Sequence, residues 1–251
     1  MKKRKLVTSA LIGFVILLSF TFSSQALAKL TILYPQPGQT AETELILSPA
    51  LGAEFSETQV DLQLLDAEQV IARRLAQLGL PQPYTVARRD GQLVVTLPAR
   101  SGTPYVNSVI SHVGDIEFID GGASPPSIGQ QVQTSAVESP EANTYHTLFS
   151  GEEVTRILPP SSEFGQIFHQ ISLEPAASAR FAAFTQASAG HSLCIVMDQE
   201  VISCSAMYSW ENDTLEILPN LSTGSLVSLV DLAIFLESGP LPFPLKLQTN
   251  L

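Results

Sequence analysis

Positive charge is scarce in this 251-residue chain, where 13 Lys and Arg face 24 Asp and Glu for a formal net charge of −11. Nucleic-acid binding depends on neutralising phosphates, so that balance disfavours it. A general attraction to anionic lipid headgroups is disfavoured for the same reason. The acidity reads first as a solvated, self-repelling surface that maintains solubility. Cysteine is nearly absent: Cys194 and Cys204 stand ten apart without a second pair. His112, His146, His169 and His191 are widely spaced, so no metal site is expected. No Gly-rich phosphate loop occurs and no cofactor is expected, since Gly121-Gly122 falls in a stretch without periodicity. After Gln25 no segment has the roughly 20 apolar residues that a membrane-spanning helix needs. No repeat recurs at a fixed period.

What is present begins with a three-zone amino terminus. Lys2, Lys3, Arg4 and Lys5 precede an apolar run from Ala10 to Phe22, interrupted by Gly13, Ser19 and Thr21, and Ser23-Ser24-Gln25-Ala26-Leu27-Ala28 follows. Residues 1–28 therefore read as a secretory signal cleaved after Ala28. An uncleaved anchor is the second reading, and any membrane attachment would run through this segment. No Cys lies near the cleavage site, which argues against a lipoprotein. Loss of the signal leaves nine Lys and Arg against the 24 acids, a net charge of −15, on a chain expected outside the cytoplasm: periplasm, cell envelope or secreted.

Downstream, a first strand is expected between Glu42 and Leu64. Asp66 with Gln69 three residues on resembles a capping box, and Val70, Ile71, Leu75 and Leu78 form one helical face closed by Gly79. Tyr84–Arg89 and Leu93–Leu97 flank Asp90-Gly91, a strong hairpin signal. Thr103-Pro104 opens a helix through Val106, Val109, Ile110 and Val113, ended at Gly114, and Ile116 and Phe118 alternate in a strand. That order is βαββαβ. Gly121 to Asn143, rich in Gly, Ser, Pro and Gln, reads as a linker.

The last third has its own series. Ile167–Leu173 alternates as a strand, and Pro175 starts a helix whose narrow face is Ala179, Ala182, Ala183, Phe184 and Ala187, with Phe181 towards its flank and Gly190 at its end. Leu193–Met197 and Val201–Ser205 form a hairpin around Asp198, Gln199 and Glu200. Leu215–Leu218 is a further strand. From Ser222 a helix carries Leu226, Leu229, Val230, Ala233, Ile234 and Phe235 until Gly239 and the prolines at 240, 242 and 244 stop it.

Three pieces carry a resemblance: Ser172-Leu173-Glu174-Pro175 through Arg180-Phe181-Ala182, then Ile195 to Ser203, then Ala233 to Leu245. In that order and spacing they resemble the head of the first extracytoplasmic domain of SecD, the accessory subunit of the bacterial protein-export channel. Ala67–Leu80 and Leu93–Pro98 resemble the base of the same domain. The resemblance implies an α+β fold: a ferredoxin-like base over 29–120, a linker over 121–143, an inserted head over 144–240 and a returning base strand over 241–251. It implies binding of unfolded or translocating polypeptide, or of export-channel subunits, and no enzymatic activity. The Asp-x-x-Gly-Gly element usual after the family's first helix is missing from Ile32–Pro49, and no intramembrane carboxylate is evident, so proton-driven work by these residues alone is not expected.

Capture of an extended chain would proceed by strand addition or in a groove, with exposed aromatics adding apolar contact. Phe168, Tyr208 and Trp210, at strand ends or beside the hairpin, are the candidates; core packing is the competing fate of each. Cys194 and Cys204 lie in the two hairpin strands. A two-residue loop would pair Cys194 with Ser203, a three-residue loop would place it opposite Cys204, and both a disulfide and two buried thiols stay open. The family usually has Gly where Gln199 stands. Catalytic patterns fail on order. Gly190-His191-Ser192-Leu193-Cys194 resembles a nucleophile elbow, yet the series here is helix, Ser, strand, and no His follows Ser192, so a secreted serine hydrolase is a remote alternative. Glu152 and Glu153 are adjacent and point differently, as a solvated pair does. A structural or signalling module that kept the fold and lost the transport role is the nearer alternative.

Overall fold

The computed structural model describes residues 42–50, 57–98, 101, 103–137, 139, 141–163, 166–206, 208–211, 214–217 and 229–248. The expected signal and its cleavage point after Ala28 lie outside them. The fold is mixed α+β. Among the described residues, three sheets and four helices gather around two large apolar clusters.

The first cluster is built on β1 (Glu42–Pro49), α1 (Glu57–Gln77), β2 (Thr85–Arg89), β3 (Gln92–Pro98) and α2 (Pro104–Ser111). We call this lobe the base. Helix α1 begins earlier than the capping-box-like Asp66, because Val60, Leu64 and Ala67 continue its apolar face towards the amino terminus. Asp90 and Gly91, with φ of 52° and 71°, make the tight turn of the β2–β3 hairpin. Thr103 caps α2 by accepting from the Val106 N–H at 3.3 Å. The sheet order is β13-β1-β3-β2, where β13 (Leu245–Gln248) returns from the far end of the chain to pair antiparallel with β1.

Strand β4 (Ile116–Asp120) corrects the expected base series. It does not join the base sheet; it is the middle strand of a second sheet, ordered β10-β9-β4-β6-β5, with β5 Gln133–Ser135, β6 Thr144–Ser150, β9 Leu193–Met197 and β10 Glu200–Ser205. Burial explains the placement. Ile116 and Phe118 enter the second large cluster while Ile119 enters a smaller one with Val132, Cys194, Val196 and Val201, so the strand needs cover on both faces. The segment 121–143 is likewise no free linker. Strand β5 pairs parallel with β6, Val132 is buried, and the Gly129 and Val132 N–H groups donate to the carbonyls of Val201 and Gln199.

A third sheet, ordered β11-β12-β8-β7, contains β7 (Val154–Glu163), β8 (Gln166–Leu173), β11 (Tyr208–Glu211) and β12 (Thr214–Ile217). Helix α3 (Pro175–Ala187) packs on this second lobe, the head, through Ala177, Ser178, Phe181 and Phe184. The expected alanine face is therefore wrong. Ala179, Ala183 and Ala187 are exposed, because burying two aromatic rings removes far more apolar area from water than burying methyl groups. In the head core Phe149 stacks on Phe118 at a centroid distance of 4.3 Å and meets Phe181 edge-on at 5.6 Å. Helix α4 (Leu229–Ser238) adds Leu232 and Phe235; the residues before Leu229 where that helix was expected to begin lie outside the described ones.

Candidate functional site

The chain passes between base and head at 112–115, after α2, and at 238–244, after α4. Both passages converge on the last turns of α1. Arg74 occupies a core position there, four residues from Val70 and three from Ile71, and is 0% exposed. Its five N–H groups meet five acceptors. Nη1 donates to the carbonyls of Val109 (3.0 Å) and His112 (2.5 Å), Nη2 to those of Val113 (2.7 Å) and Gly239 (3.1 Å), and Nε to Ser238 Oγ (3.2 Å). These acceptors cluster at the carboxyl ends of α2 and α4, where helices leave carbonyls unpaired and carry partial negative charge. The guanidinium also lies 4.6 Å from the Phe235 ring centroid, a cation–π contact. Burial pulls Arg74 down to about 9, against a raising contribution from Asp198 and a further lowering by Arg73, which leaves it charged at neutral pH. Arg73 adds two bonds to the Ser238 carbonyl, at 3.1 and 2.7 Å.

The tip of the β9–β10 hairpin meets the same passage. Asp198 Oδ1 accepts from the N–H groups of Gly114 (2.8 Å) and Asp115 (3.0 Å), its Oδ2 lies 3.4 Å from His112 Nδ1, and its own N–H donates to the Asp115 carbonyl. Gly114 has φ +77°, and a Cβ there would lie 2.5 Å from Phe235 Cδ1 and 2.6 Å from Arg74 Nη2. Only glycine fits.

Beside this crossing is a small, partly open cavity lined by Gly114, Asp115, Ile116, Gly151, Glu152, Phe235, Leu236, Gly239 and Pro240. Ile116, Phe235 and Leu236 provide apolar lining, while the carboxylates of Asp115 and Glu152 belong to exposed residues. Partial desolvation, then Glu117, Asp198 and Glu152, hold the Asp115 carboxyl above its usual range. The excess of acid is confined to this lobe: residues 115–238 carry two arginines and sixteen carboxylates, a formal charge of −14.

The residues singled out from sequence lie elsewhere. Phe168 is in β8, and Tyr208 and Trp210 are in β11, so all three belong to the third sheet with β12 between them. Leu215 of β12 stands opposite both Trp210 and Ile171, and Ile217 opposite both Tyr208 and His169. The side chains of Phe168, Tyr208 and Trp210 lie outside the described ones. Cys194 and Cys204 are bonded to each other. Their register comes from a combination the loop-length argument did not include: a two-residue turn at Asp198 and Gln199, both at positive φ, followed by a bulge between Val201 and Ser203 that brings Cys204 opposite Cys194. Ser192 is buried just before β9, and the neighbouring His191 turns Nδ1 to both Asp120 oxygens, at 2.9 and 3.0 Å. Glu153 bonds Arg180 at 2.5 Å, whereas Glu152 is one of the residues lining the cavity. Arg74 and Asp198 were missed. The available signal for Arg74 was a cation in the apolar register of α1, where a solvated arginine has no place.

Residues 130–243 match the family model described as SecDF, P1 head subdomain. Among curated proteins the chain is similar to the protein translocase subunit SecD of Dictyoglomus turgidum, 24% identical over 182 residues, covering 72% of this chain and 40% of that protein. It is also similar to SecD of Aquifex aeolicus, 23% identical over 188 residues, covering 71% and 37%. The chain thus spans about two fifths of these relatives. Among solved structures, SecDF in a super-membrane-facing form superposes with a TM-score of 0.58 at 18% identity, covering 98% of this chain and 35% of that one. A second, described as the structure and function of a membrane component SecDF that enhances protein export, gives 0.57 at 18% identity, covering 83% of this chain and 99% of that one. The chain is thus similar to SecD and SecDF, through residues 130–243 in the head-subdomain match and through both lobes in fold.

Proposed function

We propose that this chain is an extracytoplasmic accessory domain of protein export that binds extended polypeptide without chemical catalysis, in company with export-channel subunits. The observation that carries the reading is the agreement of the complete two-lobed architecture with a domain from a protein described as enhancing protein export. Binding would use main-chain hydrogen bonds at a sheet edge, which are tolerant of sequence and so suit a carrier of many clients. Strand β11 is such an edge in the third sheet, and it carries Tyr208 and Trp210. A cleaved or anchoring amino-terminal segment would deliver the domain to the outer side of the membrane.

The test is photocrosslinking from position 208 of the full chain in cells whose export is arrested part-way. Adducts with the arrested precursor, or with channel subunits, support the reading. A single partner outside the export machinery in their place favours the structural or signalling module. Labelling of Ser192 by a fluorophosphonate would revive the hydrolase.

A further inference from the structure

We infer that the cavity beside the base–head crossing accepts the side chain of a lysine or arginine presented by an extended polypeptide. The inference rests on the polypeptide-binding reading and adds to it a residue class and a place. Three features of the cavity specify the occupant. Leu236, partly exposed, offers apolar surface to a hydrocarbon stem, over a floor closed by the buried Ile116 and Phe235. Gly114, Gly151 and Gly239 withhold side chains from the wall, and a Cβ at Gly151 would approach Leu236 Cδ2 at 3.0 Å and Ile116 Cβ at 3.2 Å, closing the space. Asp115 and Glu152 are both lining residues, exposed and close enough for their charges to interact, and neither forms an ion pair with a lysine or arginine among the described residues.

A long cationic side chain matches that order, since it buries its methylenes and keeps its charged end at the wet, anionic rim. A neutral apolar side chain would fill the floor but desolvate the two carboxylates without compensation. A bare metal ion fits less well, because no group of three or more His, Cys, Asp or Glu converges for one among the described residues. Arg74 does not compete for the rim carboxylates: it has no exposed surface and its N–H groups are taken by the helix-end acceptors. The crowding of Glu117, Asp198 and Glu152 around Asp115 is a repulsion that an arriving cation relieves. The −14 charge of residues 115–238 steers basic segments towards the same lobe.

Two probes separate this inference from the reading it rests on. The first is n-butylammonium against 1-butanol, followed by amide chemical shifts of the full chain at Gly114, Ile116 and Gly151. Saturable shifts with butylammonium at a concentration at least about tenfold below that needed for butanol are expected. The double variant Asp115→Asn/Glu152→Gln, both exposed positions, should weaken butylammonium roughly three- to tenfold and leave butanol unchanged, with a cooperative thermal transition no lower than that of the wild type as the folding control. Equal response to both probes, no response at these amides, or an unaffected double variant overturns the inference. The second probe is a Gly/Ser-rich peptide with one central lysine, against the same peptide with norleucine. Tighter binding of the lysine peptide that fades with salt supports the inference. Equal binding of both overturns it and leaves polypeptide binding standing. Binding of neither overturns the polypeptide as occupant together with the functional reading, whatever butylammonium does.

Discussion

Replacing Arg74 by Met tests how the two lobes are joined. Methionine fills similar space and removes every donor, so backbone acceptors at the ends of α2 and α4 lose a partner that no neighbouring side chain can replace. The Val113 carbonyl keeps the Leu241 N–H at 2.8 Å, and that of Gly239 keeps the Ser238 hydroxyl at 3.3 Å. For Val109 and His112 the guanidinium supplies the bond that helix ends lack. Each buried acceptor left unpaired costs about 1–3 kcal/mol. Adding the lost cation–π contact, Arg74→Met should destabilise by about 3–5 kcal/mol, a large part of the stability of an ordinary domain. The opposing term is real. Drawing the guanidinium down from 12.5 to about 9 reflects a burial cost that Met would not incur, and replacing buried charges by apolar groups is often neutral. Here the acceptors are main-chain carbonyls, which stay when the side chain changes, so the loss should win. Urea denaturation of the wild type, Arg74→Met and Arg74→Lys measures it. Lysine, with three donors on a point charge, should fall between the other two. A Met variant within about 1 kcal/mol of wild type would refute the claim that these bonds outweigh the burial cost.

Reduction of the Cys194–Cys204 bond, or the paired change to Ala, should lower stability by about 2–3 kcal/mol from the ten-residue separation it closes, read as the shift of the urea midpoint. Gly114→Ala should cost more than about 2 kcal/mol, because positive φ and the approach to Phe235 act together; a thermal midpoint unchanged from wild type would contradict the geometry. Asp115→Asn tests electrostatic sign. The raised folded value means that the native state holds this proton more tightly than the unfolded chain, whose reference is 3.8, so its contribution to stability is present at low pH and is lost as pH rises through the folded value. The variant should therefore be the more stable protein at pH 7, with the difference fading towards pH 3. The reverse trend would show that Asp115 makes a favourable bond.

Helix α2, the β2–β3 hairpin and the β9–β10 hairpin were legible because their signals are local: Thr103-Pro104, Asp90-Gly91, and two β-branched runs across a short turn. Strand β4 was legible as a strand and misplaced as to sheet. Its alternation of Ile116 and Phe118 indicates one buried face, and nothing local states that Ile119 is covered from the other side by Val132, a residue of a stretch whose composition resembles a linker. Helix α3 misled in a different way. Alanines at three- and four-residue steps describe a possible packing face, but Phe181 and Phe184 bury far more area and set the rotation of the helix. The disulfide register failed for a third reason: a bulge adds one residue to one strand, and no turn rule contains it.

The junction was hidden because each of its parts has an ordinary local explanation. Arg74 next to Arg73 reads as the basic last turn of a helix, Gly114 as a helix stop and Asp198 as a turn residue. Each does hold that local position in the structure, and each also reaches across to a segment 35 to 165 residues away. The combination has a physical logic. Two chain passages side by side expose helix-end carbonyls and turn N–H groups in a region too narrow for a helix or sheet to pair them. One buried guanidinium answers the carbonyls and one carboxylate answers the N–H groups. Apolar contact does reach across, since Leu78 packs on both large clusters, but it fixes neither direction nor register. The polar pair does both, and so Arg74 and Asp198 set how the wall of the cavity is built.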